Sequence, residues 1–144
     1  SAAPLIELQA QTLRIAVQYN IASDLPAIMA DPVLLEQVLL NLSRNAVEAM
    51  QGTEPARRQL EISATLNSAQ FEVEILISDH GHGISDEVAA RLFSPFFTTK
   101  SAGMGMGLNI CRTAIEFHGG RLTHAPNPEG GTIFSITLPL PRET

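Results

Sequence analysis

Asp79-His80-Gly81-His82-Gly83 follows directly on the alternating run Phe71-Glu72-Val73-Glu74-Ile75-Leu76-Ile77. A carboxylate fixed at the end of a strand can accept a hydrogen bond from an amino group, and two glycines spaced by one residue let a flat or anionic ligand approach the backbone. Alone, such a cluster is also an ordinary turn. Upstream, Asn41 and Asn45 lie one helical turn apart and bring side-chain amide oxygens able to bind a hard cation. Downstream, Gly103-Met104-Gly105-Met106-Gly107-Leu108 opens an apolar-periodic stretch. Glycines at a helix start leave backbone amides exposed beside the positive end of the dipole, a ready anion site. This run lacks the Lys-Ser/Thr ending of a P-loop and does not follow the first strand of a parallel βαβ unit, which disfavours two common nucleotide motifs.

The intervening sequence must position these groups. Leu13 to Tyr19 alternates with period two and predicts a strand with Leu13, Ile15, Val17 and Tyr19 facing inward. Asp31-Pro32 predicts a helix start, and Leu34, Leu35, Val38, Leu39, Leu42, Ala46 and Ala49 give the helix, to about Met50, a broad core face. Gln37, Asn41, Asn45 and Glu48 line one stripe of it, and such a stripe also suits a solvated face. Gln51 to Gln59 reads as a solvated loop, and Leu60 to Leu66 with Phe71 to Ile77 as a hairpin that delivers Asp79.

Ser85-Asp86-Glu87 predicts a short helix through about Leu92. Phe93-Ser94-Pro95-Phe96-Phe97-Thr98-Thr99-Lys100 then places three of the six phenylalanines in a connection, which suits a small satellite core or a docking lid. The helix opened by Gly103 reaches about His118, with Leu108, Ile110, Cys111, Ala114, Ile115 and His118 mainly buried, and Gly119-Gly120 ends it. Arg121-Leu122-Thr123 and Thr132 to Leu138 predict two further strands around a turn containing Pro126, Pro128, Gly130 and Gly131.

Composition narrows the class. With 144 residues, 44% hydrophobic and 17% charged, the chain predicts one globular domain with a substantial core. Every apolar run is broken by charge before the ~20 residues a bilayer span needs. The net charge is −6 and the nine Lys and Arg are scattered, so a nucleic-acid footprint is missing. The one cysteine, Cys111, excludes an internal disulfide, fits a reducing compartment, and reads as a small helical core residue. His80 and His82 read as loop residues rather than metal ligands, and His118 and His124 as structural.

The ordered set of Asn41 and Asn45, Asp79-x-Gly81-x-Gly83, the aromatic loop ending in Thr98-Thr99-Lys100, Gly103-x-Gly105-x-Gly107-Leu108, and Gly130-Gly131-Thr132 before a closing strand resembles the catalytic ATP-binding domain of bacterial sensor histidine kinases, in the Bergerat-fold superfamily with DNA gyrase, MutL-type repair proteins and heat-shock chaperones. The resemblance spans about residues 25 to 140. It implies an α/β two-layer sandwich, a mixed sheet of about five strands covered on one face by three main helices. It implies ATP and Mg²⁺ as ligands: Asn45 would ligate the metal, Asn41 would lie beside the phosphates, and Asp79 would accept from the adenine amino group. Gly81 and Gly83 would allow the base over the backbone, and Thr132 would help hold adenine. Phe93 to Phe97, Thr98 and Thr99 would form the lid, with Lys100 meeting the terminal phosphate. Gly103, Gly105 and Gly107 would form the phosphate loop, with Leu108 at the helix start.

In gyrase-like hydrolases a glutamate one turn before the metal-binding asparagine activates water; here that position is Asn41, which favours transfer to an external nucleophile. Glu48 stands where many histidine kinases carry a lysine, and Arg44 is a candidate to compensate. No His-Glu/Asp-x-x-x-Pro phosphoacceptor pattern occurs. Residues 1–144 are therefore expected to be one catalytic domain cut from a longer chain, with about 1–24 holding a linker and the first strand. The resemblance implies an upstream dimerisation and phosphoacceptor domain, a downstream response regulator receiver domain, a homodimeric full-length protein and a monomeric fragment. The domain would be cytoplasmic, and the full-length protein membrane-anchored or soluble. An anti-sigma-type serine kinase, a gyrase- or MutL-like ATPase, and a degenerate nucleotide- or partner-binding module are the competing readings.

Overall fold

In the computed structural model, residues 15–21, 32–50, 52–54, 57–67, 69, 71–85, 87 and 108–140 are described, together with positions 4 and 8. The strands are β1 (Ala16–Ile21), β2 (Gln59–Asn67), β3 (Glu72–Ser78), β4 (Arg121–Pro126) and β5 (Thr132–Pro139), with helices α1 (Pro32–Ala49) and α2 (Leu108–Phe117). They form one five-stranded sheet in the order β1-β2-β3-β5-β4. β1 runs parallel to β2, and the remaining neighbours are antiparallel. The mixed five-strand sheet is as the sequence predicts. Two helices stand among the described residues; the third expected helix, from Ser85 to about Leu92, lies mostly outside them.

Register explains why one face is dry. Ile62 pairs with Ile77 and Ile77 with Phe134, while Ile75 sits between Ala64 and Ile136, and Leu122 faces Ile136. Because side chains alternate across a strand, these pairs build one continuous apolar surface. It is closed by Val38, Leu42, Ala46, Val47 and Met50 of α1 and its end, and by Cys111, Ala114 and Ile115 of α2, in a single buried cluster. Val38, Leu42, Ala46 and Met50 recur every four residues, the period of one helical face. Each large apolar side chain buried in this way contributes roughly 1.5–3 kcal/mol. The opposite face carries Glu61, Ser63, Thr65, Glu72 and Glu74, and Arg121 bridges to both carboxylate oxygens of Glu72 at 3.2 and 3.3 Å.

Three sequence expectations change. Phe71 does not open its strand, which begins at Glu72: it closes the β2–β3 turn with φ 55° and is 55% exposed. Phe71 holds this left-handed conformation as a non-glycine, which costs roughly 1–2 kcal/mol. Its carbonyl accepts from the Leu140 amide at 2.8 Å, tying the turn to the end of β5. Ile110 is 51% exposed, because the buried stripe of α2 runs through Cys111, Ala114 and Ile115 and position 110 falls a hundred degrees from it. β4 extends through Pro126, which pairs with Thr132; on an edge strand the missing proline N–H leaves no ladder bond unmade.

Candidate functional site

β3 is the central strand, so the chain leaves it at Asp79 between the start of β5 and the end of α1. Asp79 is 2% exposed. Its amide donates to the Thr132 carbonyl at 2.9 Å, extending the β3–β5 ladder by one bond. Its Oδ1 accepts from the Gly81 amide at 2.8 Å and the Thr132 amide at 3.2 Å, and its carbonyl accepts from Asn127 Nδ2 at 2.9 Å. Among the described residues no donor reaches Oδ2. Burial pushes the carboxyl above the ordinary carboxylate range, against the opposing pull of the Gly81 and Thr132 amides and of His82 and His80. The result is a buried acceptor with one oxygen taken by two backbone amides and the other without a donor among the described residues.

The loop after Asp79 is seated on α1. A Cβ on Gly81 would lie 2.5 Å from the Ala49 carbonyl oxygen, so glycine is required there by the helix end beneath it. Gly83 adopts φ 75°, a conformation that favours glycine. The His80 amide approaches Met50 Sδ at 3.4 Å, and its carbonyl accepts from Thr53 Oγ1 at 3.1 Å. His80 Nε2 lies 3.6 Å from Glu61 Oε1 on the far side of the sheet, and His82 Nδ1 lies 2.6 Å from the Gly83 carbonyl. The segment expected as a merely solvated connection is a clasp. Besides Thr53, Arg58 Nε donates to the Thr53 carbonyl at 2.9 Å and Arg57 Nη2 to the Glu129 carbonyl at 3.1 Å.

α1 carries the second end of the site. Ala49 lies under Gly81, Asn45 is one turn earlier and Asn41 two turns earlier, a distance of about 12 Å at 1.5 Å per residue. Asn41 is 7% exposed, with Nδ2 donating to Cys111 Sγ at 3.3 Å and Oδ1 accepting from Arg44 Nη2 at 3.2 Å. Arg44 Nε stands 4.0 Å from Glu48 Oε1. Cys111 occupies the first turn of α2, and burial raises its thiol above the ordinary range, with the Asn41 amide pulling the other way. Asn41 thus joins α1 to the start of α2, where Leu108 is the first helical residue. Asn45 is partly exposed on the same stripe, and its amide oxygen is the donor type that suits Mg²⁺, which takes few protein ligands and fills its shell with phosphates and water.

Asn41, Asn45, Asp79, Gly81, Gly83, Leu108 and Thr132 are therefore placed along α1, the exit of β3 and the starts of α2 and β5. Thr132 is 5% exposed and touches Asp79 through both backbone groups. Thr98, Thr99, Lys100, Gly103, Gly105 and Gly107 lie outside the described residues. Sequence reading missed Thr53 and Asn127 as neighbours of the Asp79 loop; Asn-Pro ahead of Gly-Gly, a turn signature at 127–131, was the available signal for the second.

A profile of the histidine kinase-, DNA gyrase B-, and HSP90-like ATPases matches residues 30–142. The chain is 50% identical over 130 residues to the C4-dicarboxylate transport sensor protein DctS of Rhodobacter capsulatus, covering 90% of this chain and 20% of that protein. It thus spans about a fifth of the length of that curated relative. Among solved structures, a nucleotide-free catalytic domain of histidine kinase ThkA superposes with a TM-score of 0.80 at 30% identity, covering 96% of this chain and 87% of that one. ThkA in complex with response regulator protein TrrA gives a TM-score of 0.77 at 28% identity, covering 97% of this chain and 38% of that one.

Proposed function

We propose a phosphoryl-donor role for this chain, which belongs to the histidine kinase-, DNA gyrase B- and HSP90-like ATPase family and within it is the ATP-binding catalytic domain of a two-component sensor histidine kinase. In this reading Asp79 Oδ2 accepts from the exocyclic amino group of adenine, beside Gly81, Gly83 and Thr132. The triphosphate runs along α1 toward Asn45 and Asn41. Gly103, Gly105 and Gly107 offer backbone amides to it, Leu108 begins the helix whose dipole faces it, and Thr98, Thr99 and Lys100 close over it. Asn45 would hold Mg²⁺, whose charge would offset that of the phosphates in a chain with net charge −6. Asn41 and Arg44 form the side-chain wall of that end, with Arg44 Nε 4.0 Å from Glu48 Oε1.

The reaction is transfer of the γ-phosphoryl group to an imidazole nitrogen on a dimerisation domain. The bond from phosphorus to the β,γ-bridging oxygen breaks, ADP leaves with its electron pair, a P–N bond forms, and the imidazole gives up its proton. Positioning and charge neutralisation carry most of such a step. The receiver domain of a response regulator then takes the phosphoryl group; the ThkA–TrrA complex supports such a partner. The whole protein would act as a homodimer, with residues 1–144 as one monomeric catalytic unit. No described helix is long and apolar enough to cross a membrane.

The observation that carries this reading is Asp79: a buried carboxylate at the exit of the central strand with its amide, carbonyl and Oδ1 all engaged and Oδ2 open. Incubation with γ-labelled ATP and Mg²⁺ tests the role. The chain alone is expected to bind nucleotide without labelling itself, since none of His80, His82, His118 and His124 sits in a phosphoacceptor pattern. Label should appear on histidine once a dimerisation domain is supplied. Strong self-labelling of the chain alone would contradict the proposal.

A further inference from the structure

The turn between β4 and β5 holds Asp79 more closely than strand pairing alone requires. Asn127 Nδ2 donates to the Asp79 carbonyl at 2.9 Å, while Asn127 Oδ1 accepts from the Glu129 amide at 3.1 Å. The Asn127 backbone amide donates to the Gly131 carbonyl at 3.0 Å, and its carbonyl accepts from the Gly130 amide at 2.8 Å. One side chain and its own peptide groups therefore both shape the turn and reach across it to Asp79. The turn runs through Gly130 at φ 97° and Gly131 at φ 105°, and a Cβ on Gly131 would fall 2.7 Å from Asp79 Oδ1. The turn is pressed against the carboxylate it borders.

The Asp79 carbonyl is the last peptide oxygen before the chain turns onto α1. Its neighbouring amide is fixed by Thr132, so the direction of the carbonyl decides how the next peptide is oriented. That orientation decides whether the Gly81 amide can reach Oδ1, an Asx-turn bond that sets the plane of the carboxylate. The open oxygen, Oδ2, points wherever that plane directs it. Burial raises the importance of direction, because a misaligned acceptor in a dry site forfeits its bond without recovering one to water.

We propose that Asn127 is a positioning residue for base recognition, clamping the Asp79 peptide through its carbonyl so that Oδ2 is aimed at the 6-amino group of a purine nucleotide. This rests on the reading that Asp79 recognises that amino group. Asn127 itself does not touch the base. Its contribution is selectivity rather than affinity for the triphosphate as such.

The test compares two ligands on the 144-residue chain in Mg²⁺ buffer: ATP, and purine riboside 5′-triphosphate, which lacks the 6-amino group. The native chain is expected to prefer ATP by on the order of ten- to a hundredfold, the range for one hydrogen bond to a charged group. Asn127→Asp keeps an acceptor for the Glu129 amide and removes the donor to Asp79. In it the preference should fall to within about threefold while affinity for the purine analogue changes little, since an unaimed acceptor gains nothing from the amino group. Asn127→Ala should behave alike. Preference retained in a folded Asn127→Asp protein overturns the proposal, as does equal weakening of both ligands, which marks a purely structural role. Equal binding of the two ligands by the native chain overturns the base reading instead, a separate outcome. Nuclear magnetic resonance of the native chain gives a second readout: the Asn127 side-chain amide signals should respond to ATP and not to the purine analogue, and an identical response overturns the proposal whether or not the variants fold.

Discussion

The two ends of the site are built from different kinds of bond. Around Asp79 nearly every contact involves backbone: Thr132 on two sides, the Gly81 amide, the Asp79 carbonyl held by Asn127, the His80 carbonyl held by Thr53. Around Asn41 the contacts run from side chain to side chain, through Cys111, Arg44 and Glu48. Backbone groups are fixed by the sheet and cost no rotamer freedom to align, whereas long side chains must be ordered and can be reordered. The first end suits reading a flat base at one fixed distance. The second suits a flexible triphosphate whose charge and geometry change as a phosphoryl group leaves. On the proposed reading, rigidity is concentrated where the base would be read, and side-chain adjustability where the phosphates would lie.

The largest expected break in that contrast is Asp79→Asn. The amide oxygen can keep the Gly81 and Thr132 bonds, but an NH₂ replaces Oδ2 and faces the donor of the base. ATP affinity should fall by about a hundredfold or more, since a bond to a charged group is lost and two donors are opposed. Stability should move the other way. Because burial raises the folded carboxyl above its unfolded value, its contribution to stability is fully present below the ordinary carboxylate range and is lost as pH rises through the folded value. At neutral pH the variant, with no charge to bury, should unfold at a temperature no lower than the native chain. Calorimetric titration and thermal melts measure both halves.

Gly81→Ala tests the rigid end without touching its chemistry. Its Cβ would meet the Ala49 carbonyl at 2.5 Å, so the loop must lift off α1 at a cost of about 1–3 kcal/mol. Denaturant unfolding should show that loss, with ATP affinity falling alongside it. Asn45→Ala should separate the ends: affinity in Mg²⁺ drops by about tenfold, while affinity in a chelator changes little, because only the metal-linked part is removed. Equal losses with and without metal would assign Asn45 to the protein core instead. At the adjustable end, Glu48→Gln should alter stability by no more than about 0.5 kcal/mol, as expected for a half-buried i,i+4 pair at 4.0 Å.

Sequence alone made much of this visible. Asp31-Pro32 and the apolar face through Leu34, Val38, Leu42 and Ala46 marked α1, and alternation marked β2, β3 and β5. Asp79, Asn41 and Asn45 drew attention by residue type and spacing, and Thr132 only through the family resemblance. What escaped reading was non-local or a matter of phase. Alternation does not reveal whether Phe71 opens a strand or closes a turn. Apolar character at Ile110 does not show which side of α2 it occupies. Thr53 and Asn127 act on carbonyls 27 and 48 positions away in sequence, and a carbonyl carries no residue type to recognise. The residues that position Asp79 were therefore visible only after folding.

The most direct test of the central claim, an acceptor-only base site at Asp79 joined to a metal-assisted phosphate site on α1, is a calorimetric comparison of ATP with GTP in the presence of Mg²⁺. ATP presents an amino donor at the position where GTP presents an oxo acceptor, so a carboxylate there attracts one and repels the other. The account predicts saturable ATP binding and GTP binding weaker by about a hundredfold or more. Comparable affinity for both nucleotides would contradict it.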